Sequence, residues 1–477
     1  MDFESLEIWG FGGPSAEPLE LASSETTVKP RALYTPESRT LQQCKNEIDL
    51  FYEEGKWDDY KKITNPYEYI FLSWNRRSSR SVGTRQPLSR SYFKMIEMWK
   101  RLDLTHYLAT LVDWDHGLVT AHSAEGPGGF IEACTVLSEK VGWSYKAAHA
   151  ITLRSEAKNV PGWRKAARFL SSYPQINIHD GEDGTGNILN PENQEAFIFD
   201  LMCEHDGVGA HLYTADGGFD FSNDYNAQED TIFPLLLAEA LIGLRVLTQG
   251  GCMILKCFDT VERPTLDLIW LLSRAFCEWG IIKPRTSRAG NAERYIIGKG
   301  YLGIRQTGDI VDILHKYQAK ANFTLPILRE INSPAYRPLM AQVAKLQEMV
   351  EHIEILVIKD TLDLIKVTDR EVIRKLVREN VLRSIAWCKE HDEDISASWT
   401  NELDKNVASE TSDLLHILHP PGNSVSYSYT TWNKSTTTTQ LSFEGFRTGV
   451  AMPTVSTITN PFMRLKGKKE VLNANPS

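Results

Sequence analysis

The chain is poor in cysteine. Seven are scattered along 477 residues, an odd number with no CxxC pair, so neither a disulfide framework nor a thiolate metal site is expected. The twelve histidines do not join them at zinc-ligand spacing, and no metal site is expected. No uninterrupted apolar run reaches membrane-spanning length. The nearest, "TIFPLLLAEALIGLRVL", carries Glu239 and Arg245, which predicts a buried helix and no membrane association. A basic leader is also missing. "MDFESLEIWG" is acidic, which predicts neither secretion nor mitochondrial import. An intracellular, reducing setting is expected, cytoplasmic or nuclear. Nor is there a bulk excess of positive charge. The net charge of -10 excludes binding of nucleic acid by overall charge alone.

The charge that is present is unevenly placed. Residues 1–60 carry thirteen acids and five bases, whereas residues 61–100 carry nine bases and two acids. The basic block also holds Tyr67, Tyr69, Phe71, Trp74, Tyr92, Phe93 and Trp99. Cations for phosphates and rings for bases are what a single-stranded RNA groove needs. A solvated helical face with its aromatics turned into the core has the same composition. Both readings stand at this point.

A hydrophobic content of 42% suffices for a full core, and the length suggests two or three domains. Residues 1–45, with Pro14, Pro18, Pro30 and Pro36, read as an acidic, weakly ordered arm. Residues 46–303 read as the main domain. Its patterning is helical to about 115 and then alternates. "LVTAHSA", "YKAAHAITL", "INIHDG", "AHLYTAD", "GGCMILKCF", "GIIKP" and "RYIIGKG" have strand character. Between them, "FIEACTVLSEKVG", "NPENQEAFIFDLMCEH", "DTIFPLLLAEALIGLRVL" and "PTLDLIWLLSRAFCEWG" have helix character, the second capped by Asn190 with Pro191 at its first position. This predicts an α/β fold on a doubly wound sheet, with ligand sites at the carboxyl ends of its strands. Residues 304–418 read as an additional C-terminal helical module, with Val343, Leu346, Val350 and Ile353 on one face and a capping box at Thr368 and Glu371. It is expected to pack against the rest or to present a partner surface. Residues 419–477 are a Ser/Thr-rich tail, for which strand, partner-binding arm and disorder all remain open.

One turn stands out. Gly126-Pro127-Gly128-Gly129 lies between a strand and a helix N-terminus, where bare backbone admits a ligand and helix amides favour electron-rich groups. Four charged positions surround it in the chain. Lys94 lies in "SRSYFK". Asp216 ends a strand in "TADGGFD". Lys256 lies inside the apolar "GGCMILKCF". Glu293 falls at the mouth of the last strands, in "TSRAGNAERYIIGKG". An acid ending a strand at the open edge of such a sheet is a usual place for chemistry. A lysine in an apolar strand needs a partner.

With "SRSYFK", "EGPGGF", "NPEN", "TADGGF", "LKCFD" and "SRAGNAERY" in this order over residues 80 to 300, the chain resembles the FtsJ-like ribose 2′-O-methyltransferases. It is most similar to the cap-dependent branch that makes cap 1 on messenger RNA, in eukaryotes and large DNA viruses. The resemblance implies a Rossmann-like methyltransferase sheet and a Lys-Asp-Lys-Glu tetrad at Lys94, Asp216, Lys256 and Glu293. It implies S-adenosylmethionine at Glu125, Gly126, Pro127, Gly128, Gly129 and Phe130, with Asp183, Asn187 and Asp216 contributing. Two positions depart from the family's pattern. His122 stands where an acid is usual, with Glu125 in the turn instead, and Asn187 stands where members commonly have an aspartate.

The implied chemistry is a one-step displacement at a sulfonium methyl, which needs no metal. Lys256 is the expected base or hydroxyl-orienting group. To act as a base it must fall well below its free value of about 10.4, through burial and a second cation. Lys94 is that cation, Asp216 orients Lys256, and Glu293 completes the network. The implied partner is RNA, in the first place capped mRNA, contacted by Arg90 and Arg288. Trp57, Tyr60, Trp74 and Trp99 are candidate platforms for a cap base. A protein partner for the helical module or tail, in capping machinery or a virion, is also open. So are a catalytically silent RNA-binding or scaffold subunit and a ribosomal RNA 2′-O-methyltransferase.

Overall fold

Short β-rich runs separated by amphipathic ones assemble into a single mixed sheet. The computed structural model describes residues 6–14, 19–23, 33–52, 56–72, 81–155, 157, 160–219, 228–320, 323–367 and 369–418. These belong to one compact unit, Met1–Pro420. The tail at 419–477, Trp74 and the capping residue Thr368 lie outside the described residues. Among the described residues, eight strands form. They are β1 (Leu6–Phe11), β2 (Leu118–Ser123), β3 (Tyr145–Ile151), β4 (Ile176–His179), β5 (Ala210–Ala215), β6 (Leu247–Cys257), β7 (Phe276–Lys283) and β8 (Arg294–Tyr301).

Their order is β1-β7-β8-β6-β5-β2-β3-β4. Strands β2 to β6 pair in parallel. The β6–β8, β8–β7 and β7–β1 pairs are antiparallel. The order reverses between β2 and β5, and such a reversal opens a crevice at the carboxyl ends of the two strands.

The helices are α1 (Pro36–Tyr52), α2 (Lys56–Ile63), α3 (Ser91–Arg101), α4 (Leu104–Leu111), α5 (Gly129–Lys140), α6 (Ala167–Ser172) and α7 (Pro191–Glu204). They continue with α8 (Gln228–Val246), α9 (Arg263–Ala275), α10 (Ile304–Gln318), α11 (Tyr336–Ile365), α12 (Arg370–Glu390), α13 (Ala397–Asn401) and α14 (Leu403–Leu418). Asn190 caps α7, its side chain accepting from the Glu192 amide, and Pro191 opens the helix. None of the described helices is long and apolar enough to cross a membrane.

Two apolar cores cover the two faces of the sheet. Alternation along β6 assigns them, because successive strand residues face opposite ways. Met253 and Leu255 join the core built with α8 and α9. Cys252 and Ile254 join the core built with α3, α4 and α5.

The structure differs from the sequence expectation in four places. Leu6–Phe11, placed in a weakly ordered arm, is an edge strand paired with β7. The prolines that colour residues 1–45 all lie beyond it. Helix α1 crosses the expected boundary at 45. Helix α9 stops at Ala275, and β7 follows at once, because β8 and β1 recruit residues 276–283 into the ladder. The helical module is not set apart. Val343, Leu346 and Val350 of α11 lie in one core and Ile355, Ile358 and Leu362 in the other, so this helix stitches both faces together. Its apolar face is spent on packing within the chain. Asp369 caps α12 by accepting from the Glu371 amide.

Leu346 is 1% exposed, so Leu346→Ala is expected to lower the unfolding free energy by about 2–5 kcal/mol, read from urea denaturation. A loss below about 0.5 kcal/mol would place α11 outside the core.

Candidate active site

The four charged positions converge at the carboxyl end of the sheet. Asp216 follows the last residue of β5. Lys256 lies in β6, opposite Tyr295 of β8. Glu293 immediately precedes β8. Lys94 reaches in from α3. Lys94 Nζ lies 2.7 Å from Glu293 Oε1. Lys256 Nζ lies 3.2 Å from Asp216 Oδ1 and donates to the Asp216 carbonyl at 2.7 Å. The Tyr295 hydroxyl joins the pairs, 2.9 Å from Asp216 Oδ1 and 3.5 Å from Glu293 Oε1. Ser287 Oγ donates to Glu293 Oε1 at 2.8 Å. The four side chains are each 11% to 14% exposed, so they are largely enclosed and do not stand on open surface.

Burial alone would raise the Glu293 carboxyl; Lys94 and Lys256 outweigh it and hold the group at about 2. Lys256 behaves in the opposite sense to the expectation for a base. Burial pulls its ammonium down, but Asp216 and Glu293 overcome that and leave it above its usual value. Lys256 is therefore a charged donor held by two carboxylates.

The glycine turn owes its composition to close packing. Gly128 takes a left-handed φ of 106°. A Cβ on Gly129 would run into Ser89 Oγ, Ser91 Oγ and the Tyr92 amide. The first turn of α3 thus sits directly on the start of α5, and this contact sets where Lys94 emerges. Glu97 fixes the other end of α3. It accepts from the Arg285 and Thr286 amides at 2.7 and 3.0 Å, and so ties the helix to the loop that carries Glu293.

Other candidate residues have partners inside the protein. The buried Glu125 side chain turns inward, 3.4 Å from His122 Nδ1 and hydrogen-bonded by Thr214. Phe130 is buried against Tyr295. Asp183 accepts from Asn190, Asn193 and Thr185, which shapes the loop after β4. Asn187 Oδ1 accepts from the Leu189 amide in the same loop.

The basic, aromatic block resolves toward its core reading. Tyr67, Tyr69, Tyr92, Phe93 and Trp99 are buried. So are Trp57 and Tyr60, of which Trp57 borders a cavity. Arg90 is a fold-holding group, donating to the Glu68 and Phe71 carbonyls at 3.3 and 2.9 Å. Arg288 pairs with Glu68 at 3.1 Å but remains 34% exposed. It lines a cavity of about 200 Å³ between α1, α2, α11 and the 288–291 loop.

Three participants were not singled out in the sequence. Tyr295 had a signal, standing two residues after Glu293 at a strand edge, where i and i+2 share a face. Ser287 opens the quoted "SRAGNAERY" but carried no role there, and Glu97 had no signal, since both act through the way α3 meets the 285–293 loop.

A family model described as FtsJ-like methyltransferase matches residues 87–301. A Dictyostelium discoideum relative is 30% identical over 304 residues, covering 61% of this chain and 38% of that protein. A human relative is 34% identical over 291 residues, covering 59% and 32%. One from Trypanosoma cruzi (strain CL Brener) is 30% identical over 274 residues, covering 56% and 68%. All three bear the name cap-specific mRNA (nucleoside-2'-O-)-methyltransferase 1. The chain spans 38% and 32% of the length of the first two.

Two outcomes test this geometry. Gly129→Ala is expected to destabilise the fold by about 1–3 kcal/mol through overpacking. Gly308→Ala, in α10 with no atom near the added carbon, should stabilise it by up to about 1 kcal/mol. Equal effects in denaturant melts would refute the close-packing account. Burial would raise Glu68, but Arg90, Arg288 and Asn65 hold it down from 4.5 to about 2. Its stabilisation is therefore complete above pH 4.5 and is lost as pH falls through about 2. Glu68→Gln should cost about 3 kcal/mol at neutral pH and flatten the acid limb of a melting-temperature profile. An unchanged limb would show that the pairing adds nothing.

Proposed function

The chain belongs to the FtsJ-like methyltransferase family, and from that premise we propose that it methylates the ribose 2′-hydroxyl of a cap-proximal nucleotide in messenger RNA, using S-adenosylmethionine. The observation that carries this is the double lysine–carboxylate pair at the topological switch point. A 2′-hydroxyl is a weak acid and a modest nucleophile. The site it needs is one that aligns the oxygen and meets its growing negative charge.

The residues present suit the cofactor. Helix α5 starts at Gly129 with no side chain capping it, so its first amides are free of a competing side-chain acceptor where a carboxylate would bind. Asp216, at the end of β5, would face the cofactor's positive sulfonium, whereas burial holds the Glu239 carboxyl well above the usual carboxylate range. S-adenosylmethionine supplies the electrophilic methyl group. The remainder of the chemistry belongs to the protein. The Lys256 ammonium, held by Asp216, donates to the 2′-oxygen and lowers the cost of losing its proton. Lys94 adds a second positive charge, and Glu293 and Tyr295 keep both lysines from swinging away. Because Lys256 stays charged, its contribution is alignment and electrostatic stabilisation, and the hydroxyl proton leaves late, to solvent water.

The cavity beside Arg288 supports a nucleotide next to the reacting ribose. Ile48, Phe258 and Val357 offer apolar walls, and Lys61 and Arg288 supply charge for phosphate. Messenger RNA as substrate is favoured over ribosomal RNA by the names of the relatives.

The test is transfer from labelled S-adenosylmethionine to short capped and uncapped RNAs, with nuclease digestion to locate the methyl group. A 2′-O-methyl on the first or second nucleotide of capped RNA alone is expected. Equal transfer to uncapped ribosomal RNA fragments would overturn the substrate. Lys256→Ala should lose about 100-fold or more in rate while cofactor affinity is retained. Loss of cofactor binding in Lys256→Ala would make this lysine structural.

A further inference from the structure

Away from the tetrad, at the β3–β4 edge of the sheet, three histidines meet. His149 comes from β3, His179 from the end of β4, and His205 follows α7. His149 Nε2 lies 2.8 Å from His205 Nε2, and His149 Nδ1 lies 2.9 Å from His179 Nε2. Glu204 Oε2 lies 3.9 Å from His149 Nε2. One nitrogen each from His149 and His205 and a Glu204 oxygen fall within 4.8 Å of one another. The cluster could not be read from spacing, because parallel pairing of β3 with β4 and the return of α7 bring residues 149, 179 and 205 together. The expectation of no metal site came from searching for histidines near cysteines.

The hydrogen bonds dictate which nitrogens are free. His179 Nδ1 lies 3.3 Å from Asp200 Oδ2. A carboxylate only accepts, so the His179 proton sits on Nδ1 and its Nε2 carries a lone pair. His149 must then donate from Nδ1, so its Nε2 lone pair accepts the His205 Nε2 proton at 2.8 Å; a cation bound there takes the place of that proton, His205 adopting the Nδ1–H tautomer. An imidazole whose far nitrogen is tied by a chain ending in a carboxylate is the usual arrangement behind a metal-binding histidine. Glu204 is held in turn by the Asn177 amide at 3.1 Å.

We propose that His149 Nε2, His205 Nε2 and the Glu204 carboxylate bind a zinc ion, with Asp200 and His179 fixing the tautomer of His149. Two imidazoles and a carboxylate match the borderline character of zinc. Metal–ligand bonds of about 2.0–2.2 Å in a tetrahedron set ligand atoms about 3.3 Å apart. The observed 2.8 and 3.9 Å bracket that separation. His205 closes a helix, and the Glu204 side chain is 48% exposed, so both have room to adjust, and solvent has access for a fourth ligand. The ion would clamp the end of α7 to β3, and through His179 to β4. It would thereby stiffen the loop that begins at Asp180, which makes it structural and independent of the methyl-transfer reading.

The experiment uses the tag-free full chain, stripped with EDTA, and Co²⁺ as the visible probe. One equivalent is expected to produce d–d absorption bands that one equivalent of Zn²⁺ abolishes. His205→Ala and Glu204→Gln, both at the surface and checked for native circular dichroism, should lose the bands. Asp200→Asn should weaken Zn²⁺ binding by about 10- to 100-fold. Absence of a stoichiometric band in the wild type, or the same band in both His205→Ala and Glu204→Gln, would overturn the site.

Discussion

A charge taken out of water survives only with a partner, and this protein keeps four such charges within one cleft. Lys94 with Glu293 and Lys256 with Asp216 come from four separate places in the chain. Neither pair is formed within one element, so the site exists only when the sheet, α3 and the 285–293 loop are all in register. Tyr295 makes the two pairs a single unit. Much of the surrounding structure can be read as the means of holding that register.

The helical module is part of those means. Gln347 of α11 accepts from the wholly buried Arg294 at 2.8 Å and from the Thr260 amide at 3.2 Å. Arg294 is the residue after Glu293. Lys45 of α1 pairs with Glu354 of α11 at 3.3 Å, beside the same strand end. The module thus reaches the residue next to the tetrad acid through a buried polar network. Among the described residues, Arg294 Nη2 and Glu354 Oε2 lack hydrogen bonds there, and the Asp259 carboxylate 3.5 Å from Arg294 offsets the first electrostatically. A catalytic core cut at residue 303 would leave Arg294 without its Gln347 acceptor.

What the sequence disclosed follows the range of each interaction. The alternation of strands and helices was legible because it depends on local periodicity, and the site motifs were legible because they end strands of that pattern. The sense in which aromatic side chains turn was not. Tyr92, Phe93 and Trp99 lie next to basic residues in the chain yet point into the core formed with α12 and α14, a choice made by helices nearly 300 residues away. Arg90 looked like a phosphate ligand, but the Glu68 and Phe71 carbonyls and the Glu68 carboxylate take up its guanidinium, whereas Arg288 pairs with Glu68 and keeps an exposed side. Edge strand β1 was hidden because six residues of alternation are a weak signal beside a proline-rich stretch. The junction of α9 and β7 was missed because apolar residues there suit either element, and only the ladder decides.

The two positions that depart from the expected motif are both bonded within the protein: Asn187 Oδ1 accepts from the Leu189 amide, and His122 of β2 lies in a chain of buried side chains from neighbouring strands. Glu125 follows three residues later, in the turn. Thr214 donates its single proton to Glu125, so it must accept from His122 Nδ1, 2.7 Å away. His122 Nε2 then accepts from Thr120 at 2.7 Å, and Thr120 accepts from Tyr145 at 2.6 Å. Donors run in one direction from Tyr145 to Glu125. Burial raises the Glu125 carboxyl against the pull of His122 and Thr214, which favours its neutral form. The polar chain ends on Glu125, whereas Asp216, two residues after Thr214, pairs with Lys256 at 3.2 Å, so the carboxylate that meets a lysine is the one at the strand end and not the one in the turn.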